Sequence, residues 1–92
     1  MMRRLLSTRR HLPLDRSDDY LLAWVAVARA VQAAGGRAWI FRGSAHEDHF
    51  MEFIEWDDDV DSPADDDDVA AARTQLDAFA TPSASDEWEE AS

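Results

Sequence analysis

The sequence predicts an α+β domain in which two helices cover one face of an antiparallel sheet, in the order strand, helix, strand, strand, helix. Three observations carry this. Residues Asp18–Ala34 are rich in Ala and Leu, carry apolar residues at helical spacing, and run into Gly35–Gly36. Residues Arg37–Trp56 form two aromatic runs around a short polar turn, and hold two of the four Trp and three of the four Phe. Ser62-Pro63-Ala64-Asp65 then reads as a helix start, with Ser as N-cap, Pro at the first helical position and Asp in the first turn.

Taken in order, residues 2–8 (MRRLLST) fit either an edge strand guarded by Arg pairs or a basic arm outside the fold. Pro13–Ser17 is a helix entry, with Asp15 or Ser17 as cap and Asp18 and Asp19 where the helix dipole favours negative charge. The helix is expected to bury Leu21, Trp24, Val25, Ala28, Val31 and Gln32. Arg37–Arg42 and His49–Trp56 are strands, and the short connection Gly43–Asp48 makes them an antiparallel hairpin. In the second helix Val69, Ala72, Leu76 and Phe79 share a narrow apolar face, and Thr81-Pro82 ends it. Residues 1–80 are thus expected to be one domain, and residues 81–92, acidic and small apart from Trp88, a C-terminal tail.

This order is that of a ferredoxin-like domain short of its final strand. The handedness of strand–helix–strand connections places the first and third strands side by side and both helices on one face.

Charge narrows the function classes. The net charge is −11, and it is uneven: residues 1–42 carry eight Arg against three Asp (+5), residues 43–92 one Arg against seventeen acids (−16). The acidic half argues against general nucleic-acid binding, which needs a basic surface. There is no cysteine, so neither disulfides nor a thiolate metal site is available. No apolar run reaches the length of a membrane span, and the N-terminus lacks the apolar core of a signal peptide, so a cytoplasmic protein is expected.

The hairpin poses a coverage problem. With Phe41 opposite Phe50, alternation puts Ala38, Ile40, Met51 and Phe53 on one face and Trp39, Phe41, Phe50, Ile54 and Trp56 on the other, with Glu52 among the latter. The first set is compact and suits the helices. The second is then left open, and an aromatic patch of that kind marks a binding surface. Trp39, Phe41, Phe50, Glu52, Ile54 and Trp56 are therefore the candidate interface or ligand-binding residues.

At the level of element order and of this second apolar face, residues 2–80 resemble the dimeric α+β barrel superfamily. The resemblance implies that two ferredoxin-like sheets pack face to face, and that a ligand or active-site cleft lies between sheet and helices. Cofactor-free monooxygenases of that superfamily use Asn, Trp and His, and this chain has no Asn.

Candidate chemistry is sparse. Glu52, desolvated among aromatic residues, would have a raised pKa and could act as a general base; an ion pair with an Arg such as Arg4, or across a dimer interface, is the structural alternative. His49 is the other catalytic candidate. His46-Glu47-Asp48-His49 gathers metal-ligand types in a turn but lacks a third distant ligand, and His11 has still less to support it. Asp57–Asp59, Asp61 and Asp65–Asp68 lack the Gly and terminal Glu of a calcium loop. No metal site and no cofactor is therefore expected. The leading reading is a small homodimer without catalysis that self-associates through its sheet face. The alternatives are a cofactor-independent monooxygenase- or isomerase-like enzyme acting on a small aromatic molecule, and an acidic module that docks on a basic partner. A homodimer, with room for a small apolar ligand, is the expected assembly.

Overall fold

The computed structural model describes residues 2–92; the first residue of the domain expected over 1–80 lies outside them. The elements are β1 (Arg3–His11), α1 (Ser17–Ala33), β2 (Arg37–Arg42), β3 (His49–Asp57), α2 (Asp67–Leu76) and β4 (Ala84–Glu89), with single 3-10 turns at Leu14–Arg16 and Pro63–Asp65. The strands form one antiparallel sheet in the order β2-β3-β1-β4. This is the ferredoxin-like α+β fold, with β1 beside β3 as the handedness argument required.

Two expectations change here. Residues 84–89 are not a tail: they pair with β1 from Arg4↔Glu89 to Arg9↔Ala84 and supply the fourth strand. β1 is accordingly a central strand and not an edge. Its basic residues have acidic partners on β4 and just beyond it, Arg3 with Glu90 at 2.9 Å and Arg4 with Glu89 at 3.6 Å. That complementarity lies between segments at opposite ends of the sequence, so local composition does not reveal it.

Both helices lie against the face formed by the even-numbered residues of β1, β2 and β3. The core between them joins Tyr20, Trp24, Val27 and Val31 of α1, Val69 and Leu76 of α2, Phe50, Ile54 and Trp56 of β3, and Leu12. The buried stripe of α1 is thus rotated from the expected one, which shared only Trp24 and Val31 with it; Val25 is exposed and Tyr20 and Val27 are buried instead. The stop of α1 is as expected. Gly35 has φ +90°, a backbone that side chains with a Cβ rarely adopt. Gly36 is required by contact, since a Cβ there would lie 2.6 Å from Pro63 Cγ.

The start of α2 also moves. Ser62 caps only the 3-10 turn, accepting from the Ala64 N–H. Asp66 caps the α-helix itself, with Oδ1 accepting from the N–H groups of Asp68 at 2.9 Å and Val69 at 3.2 Å.

Candidate functional site

The hairpin register differs by one residue from the one expected. Arg42 is opposite Phe50, Phe41 opposite Met51, Ile40 opposite Glu52 and Trp39 opposite Phe53. Residues opposite each other point to the same side, so a slip of one exchanges the faces of a whole strand. Phe50, Glu52, Ile54 and Trp56 therefore face the helices and are buried, and the expectation that they belong to an open patch is corrected. Trp39 and Phe41 stay on the open face, at 43% and 58% exposed.

The open face is rebuilt from the odd-numbered residues. Met51 and Phe53 join Trp39 and Phe41 from the hairpin, and Phe41 meets Phe53 edge-to-face at 5.7 Å between ring centroids. Leu5 of β1 lies opposite Trp88 of β4. Trp88 is 55% exposed, and its indole N–H donates to Ser7 Oγ at 2.8 Å, which ties the ring to β1. Composition alone could not place Trp88; its signal was the alternation Ser85, Glu87, Glu89 against Ala84, Asp86, Trp88. At one end the face is closed by ion pairs, Arg37 with Glu55 at 2.7 Å and with Asp57 at 3.4 Å. The Arg37 guanidinium is held above its ordinary pKa by the Glu55 hydrogen bond.

On the covered side Glu52 sits in a polar cluster that sequence reasoning missed. Its Oε2 accepts from Arg10 Nε at 2.6 Å and from the Tyr20 hydroxyl at 2.5 Å. Arg10 reaches on with Nη1 to Asp77 Oδ1 at 2.8 Å and to the Ala80 carbonyl at 2.7 Å. Arg10, Tyr20 and Glu52 are at most 2% exposed. Burial works against the charged form of Arg10, but the Asp77 hydrogen bond and the Glu52 charge carry its pKa above the ordinary value. Tyr20 is pushed far above its usual range, first by desolvation and then by the Glu52 carboxylate. The ion-pair alternative for Glu52 is the one observed, with Arg10 as partner in place of Arg4. A carboxylate whose Oε2 is held by two buried donors is unsuited to taking a proton from a substrate.

The histidines gather at the hairpin-loop end. His11 and His49 stack with ring centroids 3.9 Å apart, and His46 lies 4.9 Å from His49. His49 is half-buried, with Asp48 Oδ1 at 3.7 Å. Among the described residues no group of three His, Cys, Asp or Glu side chains is arranged to hold a metal ion. Among the described residues no helix is long and apolar enough to cross a membrane.

Two hollows flank β2. One, of about 380 Å³, runs between α1 and β2 and is lined by Trp24, Val25, Ala28, Gly36, Arg37 and Trp39 among others. The other, of about 340 Å³, lies where Phe41, Met51, Arg9, Arg42 and His49 meet.

No protein-family model matches the sequence, and no curated protein matches it. Solved structures do match in shape. A conserved protein of unknown function from Bacteroides thetaiotaomicron, described as a possible oxidoreductase, superposes with a TM-score of 0.76 at 15% identity, over 97% of both chains. A proposed antibiotic biosynthesis monooxygenase from Bordetella bronchiseptica gives 0.73 at 13% identity, over 100% of this chain and 98% of that one. A single-substitution form of SnoaB, a cofactor-independent oxygenase from Streptomyces nogalater, gives 0.70 at 12% identity, over 99% and 92%. At these identities the likeness is one of fold: this chain has the ferredoxin-like α+β architecture found in antibiotic biosynthesis monooxygenase-like proteins.

Proposed function

We propose that this protein is a homodimeric α+β module in which the open sheet faces of two copies cover each other. The observation that carries the reading is the aromatic patch of Trp39, Phe41 and Trp88, large side chains left about half exposed on a face that no helix reaches. The sheet edges support it. β2 carries Arg37 and Arg42 and no acid, whereas β4 carries Asp86, Glu87 and Glu89 and no base. A two-fold axis running along the strands between the faces brings β2 of each copy beside β4 of the other, antiparallel and with opposite charge. The domain spans residues 2–89, since β4 is part of the sheet. Glu52 has a structural role in this reading. Sedimentation velocity tests it: a dimer is expected at micromolar concentration, and Trp39→Glu or Phe41→Glu should give a folded monomer by circular dichroism. A wild-type monomer at that concentration removes the reading.

A second reading is favoured by the groove between α1 and β2. Its volume is in the range of small-molecule sites, and Trp24, Val25, Ala28 and Trp39 are among the residues that line it. With a cofactor-independent oxygenase among the similar folds, that groove suits a flat aromatic substrate. Neither His49 nor Glu52 lines it, so oxygenation there would depend on the substrate's own reactivity. Oxygen uptake with a dihydroxyaromatic compound, lost in Ala28→Trp, is the expected result; uptake unchanged in that variant would exclude the groove.

A further inference from the structure

The three histidines of the chain meet at one end of the open sheet face. His11 of β1 and His49 of β3 are directly opposite each other in the ladder, and both are odd-numbered, which turns them away from the helices. Their rings stack at 3.9 Å with planes 10° apart, and His46 reaches in from the connection, its ring 4.9 Å from that of His49. Few charges surround them. Arg9 stands two residues before His11 on the same face of β1. Arg42 of β2 is turned to the other face, over the Phe50 ring. β4 brings no charge to this end, since its residue opposite Arg9 is Ala84. The connection carries Glu47 and Asp48. Among the described residues Asp48 is the one acid in ion-pairing reach of a histidine, with Oδ1 3.7 Å from His49 Nε2.

In the homodimer proposed above, on which this reading rests, the two-fold axis runs along the strands over the middle of the sheet, where β3 and β1 are the central pair. Rotation about such an axis keeps each residue at its own height along the strands and exchanges the two sides. β1 therefore faces β3 of the other copy: His11 faces the partner's His49, and His49 faces the partner's His11. Four imidazoles gather at the axis, with an Arg9 from each copy one step along. Neutral rings can stack and be buried together. Charged rings cannot, because like charges in a dehydrated contact repel and each must shed its water. An imidazole ordinarily takes up its proton between about pH 5 and 8. We infer that the His11–His49 stack is a pH-sensitive lock on the dimer, closed while the rings are neutral and released as they become charged. Linkage fixes the direction. The separated chains hold more protons on these rings than the dimer does, so association weakens as pH falls. The rest of the chain acts in the opposite sense: with a net charge of −11, two copies repel each other less as they gain protons. Weakening on acidification therefore has to come from a local cluster such as this one.

Sedimentation equilibrium of the full chain, from about pH 8 to about pH 5.5 at constant ionic strength, tests the lock across the imidazole range. Circular dichroism of the same samples separates dissociation from unfolding. The dimer dissociation constant should rise about tenfold or more between those limits, because each charged ring adds a like-charge contact. The joint variant His11→Gln with His49→Gln has no charge to gain at either position, and its dimer should hold as well or better at the acid limit. His11→Arg carries a permanent charge, so it should weaken the dimer at the alkaline limit and leave less for acid to do. A wild-type monomer throughout removes the dimer and the lock together. A dimer that is equally strong or stronger at the acid limit overturns the lock alone. So does a weakening that survives in the joint glutamine variant, or one that appears only as the circular dichroism signal is lost.

Discussion

Tyr20 donates its hydroxyl to Glu52 at 2.5 Å, and that contact ties α1 to the strand at the middle of the hairpin in the driest part of the molecule. Oε2 of Glu52 also receives Arg10, so three side chains from α1, β1 and β3 meet at one atom. Such a cluster is costly to break and inexpensive to do without. Removing one member leaves the others desolvated and unmatched, which costs about 3–5 kcal/mol for a buried ion pair. Glu52→Leu and Arg10→Met should each destabilise by roughly that amount in urea unfolding. The joint variant Arg10→Met with Glu52→Leu should cost much less than their sum. Additive single and joint effects would show that the pair is not coupled.

Tyr20 is the sole tyrosine, which makes its titration directly visible. Its pKa is raised from the ordinary 10.0 by burial and by Glu52. Below that ordinary value the phenol is protonated in both folded and unfolded chains, and its contribution to stability is fully present. As pH rises beyond it, the unfolded chain releases the proton while the folded chain keeps it, so stability falls with rising pH. Phenolate absorbance should therefore appear only together with loss of the circular dichroism signal. Phenolate forming near pH 10 in a protein that remains folded would contradict the buried contact.

Truncation distinguishes a strand from a tail. Deleting residues 81–92 strips β1 of its β4 neighbour, leaves Ser7 without the Trp88 indole, and removes the partners of Arg3 and Arg4. The truncated chain should lose its cooperative thermal transition or aggregate, since β1 keeps only β3 as a neighbour and its other edge is left open along its length. A transition unchanged in midpoint and steepness would be the mark of a tail.

The two capping residues before α2 should differ in weight. Asp66 satisfies two backbone donors of the α-helix, and Ser62 satisfies one in a single 3-10 turn. Asp66→Ala should cost about 1 kcal/mol, within the usual range for a lost N-cap, and Ser62→Ala clearly less. Equal costs in chemical denaturation would place the start of the helix at Ser62.

These relationships show where the sequence was legible. Elements could be read because their punctuation is local: Gly35–Gly36 stops α1, Pro63 precedes α2, and Gly43–Asp48 separates two aromatic runs. The hairpin register could not be read, because both faces are apolar and a six-residue connection does not fix which pairs form. Phe50, Ile54 and Trp56 look the same whether they point to helices or to water. Tyr20 lies outside the stripe expected for α1, because its burial depends on Glu52, which accepts its hydrogen bond from β3. Trp88 sits in an acidic run whose strand character depends on Arg3, Arg4 and Ser7, more than seventy residues away. What remained hidden was what depends on contacts distant in sequence.

The position of β1 has a kinetic consequence. The strand made first occupies the middle of the sheet, and it cannot be flanked on both sides until the strand made last is available: Arg4 pairs with Trp56 on one side and Glu89 on the other. Nearly every pairing of β1 closes a long loop, and long loops must be closed before their contacts yield any gain. During synthesis, α1 and the β2–β3 hairpin can form while β1 still has an unsatisfied edge. The acids at 86–90 are thus the counter-charge that Arg3 and Arg4 await, and the rate of folding should be set by the arrival of that final segment.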